Sequence, residues 1–240
     1  MVNLHSLRRQ ARKLGLDVSR FPDSDADYRA FRAFTSADPD VILDVGANDG
    51  GFARKARSFG YKGDVISFEP GRAALRRLSQ AAQSDPRWFV EGLALGSEDA
   101  ELTLNVAAND GASSSFLKML ATHSRAAPGA DYVAQEKVPV RRLDQWYAAH
   151  GKHWARPSIK LDTQGFEEHV LAGAVGILPD VVAIQIELSL VPLYEGAWTW
   201  TAAVEWLDSH EFQMSGVTPG FSDPVTGRLL QFDAVFLAPY

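Results

Sequence analysis

The sequence predicts an α/β fold with a mostly parallel, doubly wound sheet that ends in an antiparallel C-terminal hairpin. Two patterns lead to this prediction. Unbroken apolar runs alternate with helical segments along most of the chain, which is typical of parallel strands covered by helices on both faces. Near the C-terminus, two apolar runs are joined by a short Pro/Gly-containing connection, and such a connection joins antiparallel strands.

The parallel part consists of five strand and helix pairs. The predicted strands are residues 41–45, 64–69, 87–92, 158–162 and 181–188. The predicted helices are residues 52–59, 73–83, 143–150, 166–178 and 202–210. The runs FQMSGV and LLQFDAVFLA then form the hairpin. This ending is similar to the Rossmann-like Class I methyltransferase fold, whose last strand inserts antiparallel, and less similar to a nicotinamide-binding domain.

The chain is expected to divide into an N-terminal helical leader, residues 1–40, and one domain, residues 41–240, with an insertion at about 100–140. In the leader, Leu4, Leu7, Ala11 and Leu14 share one helical face surrounded by arginine and lysine. Such a basic amphipathic helix either lies on an anionic membrane or packs on its own domain, and both interpretations stay open. The small polar stretch NDGASSSF in the insertion predicts a mobile flap or substrate loop.

Composition excludes several classes of protein. The net charge of -6 argues against a nucleic-acid binder, which needs a basic surface. The absence of cysteine from the sequence excludes disulfides and thiolate chemistry. No apolar run of the sequence is long enough to span a bilayer, and the first twenty residues lack the apolar core of a signal peptide. We expect a cytoplasmic protein, with contact to the inner membrane face through the basic helix as an open alternative. The oligomeric state is not predicted.

The glycine turn VGANDGG, after the first strand, indicates a ligand site, because ligands bind beyond the carboxyl ends of the strands in such sheets. Glycine there, as at Gly46 and Gly50, permits close approach of the backbone to a ligand. The dinucleotide fingerprint needs a glycine where Asn48 stands, and Asp49 would face the phosphates. A phosphate-free cofactor that carries a cation, such as S-adenosylmethionine, fits better.

Three acids end predicted strands. Asp44 could receive the ammonium of this cofactor, directly or through water. Glu69 follows 25 residues later and could accept both ribose hydroxyls. Asp162 ends a third strand and is followed by Gln164 and by Glu167 at a helix start. Asp162 is interpreted as functional, whereas Glu167 is equally compatible with helix capping.

An ordered set of motifs resembles the FkbM-type methyltransferases. The motifs are ILDVGANDGGFA, SFEP, GLALG, RRLDQW, IKLDTQGFEEHVLAGA and QIELS, and the resemblance runs from Val41 to the C-terminus. The resemblance implies S-adenosylmethionine-dependent O-methylation of a hydroxyl on a sugar, a glycan or glycolipid, or a secondary metabolite. Phe166 departs from the family pattern, which often has alanine there.

The site residues follow from the resemblance and the strand ends together. The expected cofactor-binding residues are Asp44, Gly46, Asn48, Gly50, Glu69, Pro70, Ala94, Leu95, Asp162 and Gln164. The resemblance places adenine near Ala94 and Leu95. It also implies that the D-x-Q-G-x-E signature of Asp162, Gln164 and Glu167 faces the methyl group or the acceptor. Glu187 matches the family's late acid, which contacts acceptor or a cation.

The sequence leaves several alternatives open for the chemistry of the site and for the function. An aliphatic hydroxyl needs a general base or a metal, and the candidate catalytic acids are Asp162, Glu187 and Glu167. Asp162 and Glu187 could instead hold Mg²⁺. Trp198 and Trp200 are equally compatible with acceptor stacking and with packing at a helix start. The competing functions are an NAD(P)-dependent oxidoreductase, against which Asn48 and the lack of a Tyr-x-x-x-Lys sequence count, and a non-catalytic binding domain.

Overall fold

The structure, a computed structural model, describes residues 4–16, 18, 25–151 and 153–239 of the chain. The strands are β1 (Val41–Val45), β2 (Asp64–Phe68), β3 (Trp88–Glu91), β4 (Ala94–Leu95), β5 (Ala100–Ala107), β6 (Tyr132–Arg141), β7 (Pro157–Leu161), β8 (Ala183–Ser189), β9 (Gln213–Pro219) and β10 (Gln231–Leu237). The helices are α1 (Leu4–Lys13), α2 (Ala26–Phe34), α3 (Gly51–Ser58), α4 (Arg72–Ala82), α5 (Ala121–Ala126), α6 (Leu143–His150), α7 (Glu167–Ala172) and α8 (Trp200–Ser209).

Seven strands form the main sheet in the order β3-β2-β1-β7-β8-β10-β9. The strands from β3 to β8 are parallel, and β10 inserts antiparallel between β8 and β9. All five residues of β1 are buried, which explains why its sequence is an apolar run interrupted only by Asp44. The predicted fold class, including the antiparallel hairpin at the C-terminus, is therefore confirmed.

The predicted helix at residues 166–178 is wrong in its extent. It ends at Ala172, and a separate 3₁₀ helix follows at Val175–Asp180. Gly173 lies between the two, and a side chain has no room there: its Cβ would lie 1.9 Å from the carbonyl oxygen of Gly96. A glycine is therefore required where the helix ends, and Pro179 lies inside the 3₁₀ helix.

The segment predicted as an insertion, together with β4 just before it, builds a second sheet of three strands in the order β4-β6-β5. β5 and β6 pair antiparallel along most of their length, and β4 pairs parallel with the end of β6. The connection between β5 and β6 contains the small polar stretch and α5. This connection lies at the carboxyl-end edge of the main sheet, since Ser115 contacts Gln164 in the loop after β7.

The two N-terminal helices differ in packing. Phe31 and Phe34 of α2 are buried with Ile42 and Val235, so this part of the predicted leader belongs to a core shared with the sheet. In and after α1, Leu7 and Leu14 are 43% and 78% exposed, and the side chain of Leu4 lies outside the described residues. Within the ranges that the structure describes, none of the helices has the length and apolarity needed to cross a bilayer.

Candidate active site

A cavity of about 140 Å³ opens at the carboxyl ends of β1, β2 and β7. Its walls come from the β1 turn, the end of β2, strand β4 and the polar loop of the insertion. The lining residues are Val45, Gly46, Asn48, Phe68, Glu69, Pro70, Leu93, Ala94, Leu95, Leu104, Gly111, Ala112, Ser114, Ser115, Phe116, Asp162, Thr163, Gln164 and Phe166. All the predicted cofactor-binding residues except Asp44 and Gly50 are among them.

The glycines of the β1 turn are required by protein neighbours. Gly46 has a φ of 76°, and a Cβ there would lie 1.9 Å from the carbonyl oxygen of Asp162. Gly50 has a φ of 86°, and its Cβ would meet the ring of Trp88 at 2.6 Å. The sequence interpretation assigned both to the close approach of a ligand. The structure corrects the reason: protein atoms exclude the side chains, although the backbone of Gly46 also lines the cavity.

Glu69 stands at the cavity wall with both carboxylate oxygens held by backbone N–H groups. The N–H of Asn48 donates to Oε2 at 2.8 Å, and the N–H of Gly71 donates to Oε1 at 2.7 Å. Burial raises the pKa of Glu69 to about 7 in spite of these two hydrogen bonds, which act in the opposite direction. A carboxylate fixed in this way retains lone pairs that can accept hydroxyl groups from the cavity.

Asp44 lies inside the sheet and does not line the cavity. Its Oδ2 accepts a hydrogen bond of 3.0 Å from the hydroxyl of Ser67, which in turn accepts one of 2.9 Å from the indole N–H of Trp88. Its Oδ1 lies 3.4 Å from Nζ of Lys160. Burial raises the pKa of Asp44, against the attraction of Lys160. The carboxylate is fully buried, and its Oδ1 accepts no hydrogen bond from the described residues, so the predicted contact with a cofactor ammonium, directly or through water, stays a prediction.

Lys160 is a buried ammonium that sequence reasoning missed. Its Nζ lies 3.4 Å from Asp44 and 3.5 Å from Asp162, and 5.6 Å from the ring centroid of Phe52. Burial alone would lower its pKa, but the combined attraction of Asp162, Asp44 and Asp233 outweighs burial and raises it. The available signal was a lysine inside the apolar strand SIKLD, because a buried lysine requires an anionic partner.

Gln164 joins the two leading candidate bases. Its side-chain amide donates to Oδ1 of Asp162 at 2.8 Å and to Oε2 of Glu187 at 3.0 Å. Gln231 donates to the same oxygen of Glu187 at 2.7 Å. Burial, and then the negative charges of Asp162, Asp233 and Glu167, raise the pKa of Glu187 well above its usual range. Asp162 and Gln164 line the cavity, whereas Glu187 lies behind the amide.

Glu167 braces the loop that carries these residues. Its Oε1 accepts hydrogen bonds from the N–H of Thr163 at 2.8 Å, the hydroxyl of Thr163 at 3.1 Å and the N–H of Gly165 at 3.2 Å. The side chain is buried and does not line the cavity, and burial raises its pKa. The sequence left helix capping and a catalytic role open, and the contacts of Glu167 are instead with Thr163 and Gly165 in the loop before the helix.

The remaining predicted residues either line the cavity or pack near the start of α8, outside the cavity. Ala94 and Leu95 are buried and give the cavity an apolar wall together with Pro70. Trp198 packs on Trp206 with ring centroids 5.8 Å apart, and Trp200 meets Phe232 edge-on. Neither Trp198 nor Trp200 lines the cavity.

The structure also bears on the metal alternative. Over the part of the chain that the structure describes, no three histidine, aspartate or glutamate side chains form a group that could hold a metal ion. Asp162 and Glu187 are separated by the Gln164 amide, whose N–H groups donate to both. Two carboxylates that share a donor in this way do not present a set of free oxygen ligands.

Two further contacts were not predicted. The hydroxyl of Tyr194 donates to Oε1 of Gln164 at 2.7 Å, and the hydroxyl of Ser115 donates to the main-chain oxygen of Gln164 at 2.7 Å. Tyr194 lies 30 residues from Gln164 and Ser115 lies 49 residues from it. No local pattern of spacing could reveal such contacts, because they depend on how the insertion and the β8–α8 connection fold over the end of β7.

The strand order and the cavity at the carboxyl ends define a Class I S-adenosylmethionine-dependent methyltransferase fold. An rRNA methylase from Streptococcus thermophilus is similar in fold, with a TM-score of 0.50 and 10% identity, covering 94% of this chain and 100% of that one. A magnesium protoporphyrin IX methyltransferase from Synechocystis PCC 6803, solved with bound S-adenosylmethionine, aligns with a TM-score of 0.46 and 11% identity, covering 98% and 91% of the two chains.

Sequence comparison identifies the family. The model of the methyltransferase FkbM domain matches residues 44–214, and the chain therefore belongs to the FkbM methyltransferase family. The chain is also similar to the 2-O-methyltransferase NoeI of Sinorhizobium fredii (strain NBRC 101917 / NGR234), with 26% identity over 213 residues that cover 87% of each chain. The family resemblance drawn from the ordered motifs is confirmed.

Proposed function

We propose that the protein is an O-methyltransferase that transfers a methyl group from S-adenosylmethionine to a hydroxyl of a sugar, a glycan or glycolipid, or a secondary metabolite. The observation that carries the proposal is the Asp162 carboxylate, which faces the cavity beside the β1 turn and is held by Gln164 and Lys160. Similarity to a 2-O-methyltransferase supports oxygen as the methylated atom.

The residues that line the cavity suit the cofactor in their chemistry. Glu69 offers carboxylate oxygens to the ribose hydroxyls, and the wall of Pro70, Ala94 and Leu95 offers an apolar surface to adenine. Asn48 and the backbone of Gly46 would follow the methionine part. When bound, S-adenosylmethionine supplies the methyl group, which passes to the acceptor oxygen as the carbon–sulfur bond breaks.

Asp162 acts as the general base in this proposal. A hydroxyl becomes a good nucleophile only when its proton begins to leave, and Asp162 is the candidate acid that reaches the cavity. The Gln164 amide holds Oδ1 of Asp162, and the Lys160 ammonium lies next to Oδ2. These contacts fix the orientation of the carboxylate toward the acceptor. Glu187 serves as the buried partner of this unit, and Glu167 supports the loop.

Two alternatives from the sequence receive less support. Mg²⁺ chemistry would need the oxygens of Asp162 and Glu187 free to converge, whereas the amide of Gln164 lies between them. A nicotinamide-dependent oxidoreductase is disfavoured because the chain belongs to a methyltransferase family. The cytoplasmic location and a membrane contact through α1 stay predictions.

The proposal is tested with the purified protein and methyl-tritiated S-adenosylmethionine. Methyl hexopyranosides, glycolipids and hydroxylated polyketides serve as probe acceptors, and the products are identified by mass spectrometry. We expect a methyl ether on one of these acceptors and binding of S-adenosylhomocysteine in calorimetry. Binding of NADPH without binding of S-adenosylhomocysteine would contradict the proposal. Methylation confined to nitrogen or carbon would contradict the choice of oxygen.

A further inference from the structure

Tyr194, in the connection between β8 and α8, is buried beside the candidate base without reaching the cavity. It is 1% exposed, and its hydroxyl donates to Oε1 of Gln164 at 2.7 Å. The same hydroxyl lies 3.4 Å from the carbonyl oxygen of Ser113 and 3.5 Å from Nε2 of His123. Because a phenol carries one proton, the short contact with Gln164 is the hydrogen bond that it donates.

This hydrogen bond fixes the side-chain amide of Gln164. A primary amide has one acceptor end and one donor end. Tyr194 satisfies the acceptor end, so the donor end is directed at Asp162 and Glu187, with N···O distances of 2.8 and 3.0 Å. Gln164 also has a left-handed backbone with a φ of 55°, and the hydroxyl of Ser115 donates to its main-chain oxygen at 2.7 Å. The main chain of Gln164 is thus held from the insertion, and its side-chain amide from the β8–α8 connection.

We propose that Tyr194 is a positioning residue for methyl transfer, acting through the amide of Gln164 on the Asp162–Glu187 pair. This inference rests on the proposed function, because it assigns a role relative to the base named there. Without the phenol, the Gln164 side-chain oxygen loses its donor, and the amide is free to rotate toward another. Asp162 and Glu187 then lose the N–H donor that they share.

The expected direction of the effect follows from the groups around the pair. Lys160 and Asp44 face it from β7 and β1, Asp233 from β10, and Glu167 from α7. Gln231 also donates to Glu187, and Nε2 of His123 lies 3.5 Å from the Tyr194 hydroxyl. Loss of the Gln164 donor disfavours the ionised form of Glu187, since hydrogen bonds to a carboxylate stabilise its charge. The Glu187 carboxyl should therefore titrate at a higher pH.

The test compares wild type, Tyr194→Phe and the control Tyr147→Phe, each with S-adenosylhomocysteine bound. Tyr147 is also buried and donates to the carbonyl oxygen of Trp154 at 2.8 Å, away from the cavity. Carboxyl-carbon NMR follows Glu187, with its signal assigned by Glu187→Gln. We expect Tyr194→Phe to raise the pH midpoint of the Glu187 titration by roughly half to one pH unit. Tyr147→Phe should leave it unchanged. An equal midpoint in all three proteins overturns the inference.

Steady-state kinetics give a second test, measured with a probe acceptor that the wild-type protein methylates. Tyr194→Phe should lower kcat about tenfold, the worth of one hydrogen bond, while KM for S-adenosylmethionine stays within about twofold. In a Gln164→Ala background the same change should have no further effect, and additive losses would overturn the inference. If Tyr194→Phe does not fold, Gln164→Met replaces it, and an unmoved Glu187 midpoint in that variant overturns the inference.

The two proposals fail in different ways. If wild type methylates no oxygen acceptor, the proposed function fails whatever the NMR midpoints are. If wild type is active and Tyr194→Phe behaves like Tyr147→Phe, the function stands and only the positioning role of Tyr194 is wrong.

Discussion

The ammonium of Lys160 lies 3.5 Å from the carboxylate of Asp162, and both groups belong to one line of polar contacts that crosses the sheet. The line begins at the indole of Trp88 and passes through Ser67 and Asp44 to Lys160. It continues from Asp162 through Gln164, Glu187 and Gln231. The candidate base is therefore coupled to buried charge in the interior of the protein, and the stability of the fold depends on that charge being balanced.

Replacing Lys160 tests this balance. Lys160→Gln removes the cation and leaves Asp44 as a buried carboxylate without its ion pair, so we expect a loss of about 3–5 kcal/mol in the free energy of unfolding. Urea denaturation measures it. The control is Lys55→Gln, since Lys55 pairs with Asp27 at 2.8 Å on the exposed surface and should contribute less than about 1 kcal/mol. If the free energy of unfolding falls by the same small amount in both variants, the buried ion pair of Lys160 and Asp44 is refuted.

Gly46 should be intolerant of any side chain. Gly46→Ala puts a Cβ against the main chain of Asp162 at a φ of 76°, and backbone cannot move aside as a flexible side chain can. We expect a loss of more than about 3 kcal/mol, combining left-handed strain with the collision. Gly60→Ala is the control, because Gly60 has a φ of 95° with open space around it, so it reports strain alone. If the two variants unfold at the same urea concentration, the close approach at Gly46 is wrong.

Glu69 should control cofactor affinity. Glu69→Ala removes the carboxylate proposed to accept the ribose hydroxyls, and hydrogen bonds to a charged group contribute about 1.5–3 kcal/mol. The dissociation constant of S-adenosylhomocysteine should rise by about 10- to 100-fold in calorimetry. Glu101→Ala, at an exposed pair with Lys137, should leave it unchanged. If the dissociation constant is unaltered in Glu69→Ala, Glu69 does not bind the ribose.

Glu69 should also make stability depend on pH in the ligand-free protein. Its pKa rises from 4.5 to about 7 on folding, so between these values the folded state binds the proton that the unfolded state has lost. The stabilisation is present below about pH 4.5 and is lost as the pH rises toward 7, by roughly 3 kcal/mol. Urea titrations from pH 5 to 7.5 should show a smaller decline in Glu69→Gln than in wild type. Parallel declines would mean that Glu69 is not the group responsible.

The fold class could be predicted from the sequence, because its signals are local. The apolar runs mark β1, β2, β3, β7 and β8, and the missing helix between the last two runs marks the antiparallel hairpin. What the sequence did not reveal is packing. The need for glycine at Gly173 depends on Gly96, and the core position of α2 depends on contacts with β9 and β10.

The sequence predicted which strand ends form the site, but not the contacts that each side chain makes there. Strand ends brought Glu69 and Asp162 to one edge, and the cavity is there. The partners of each acid come from distant segments, so sequence spacing could not distinguish the buried Asp44 from the cavity-lining Asp162, or reveal Lys160 and Tyr194.

The central claim is that Asp162 takes the proton of the acceptor hydroxyl, and Asp162→Asn tests it most directly. Asparagine keeps the size of the side chain and removes its basicity, so methyl transfer from tritiated S-adenosylmethionine to the wild-type acceptor should fall by about 10²–10⁴-fold, the usual contribution of a general base. The dissociation constant of S-adenosylhomocysteine should stay within a few fold. Wild-type turnover in Asp162→Asn, with cofactor affinity intact, would contradict the account.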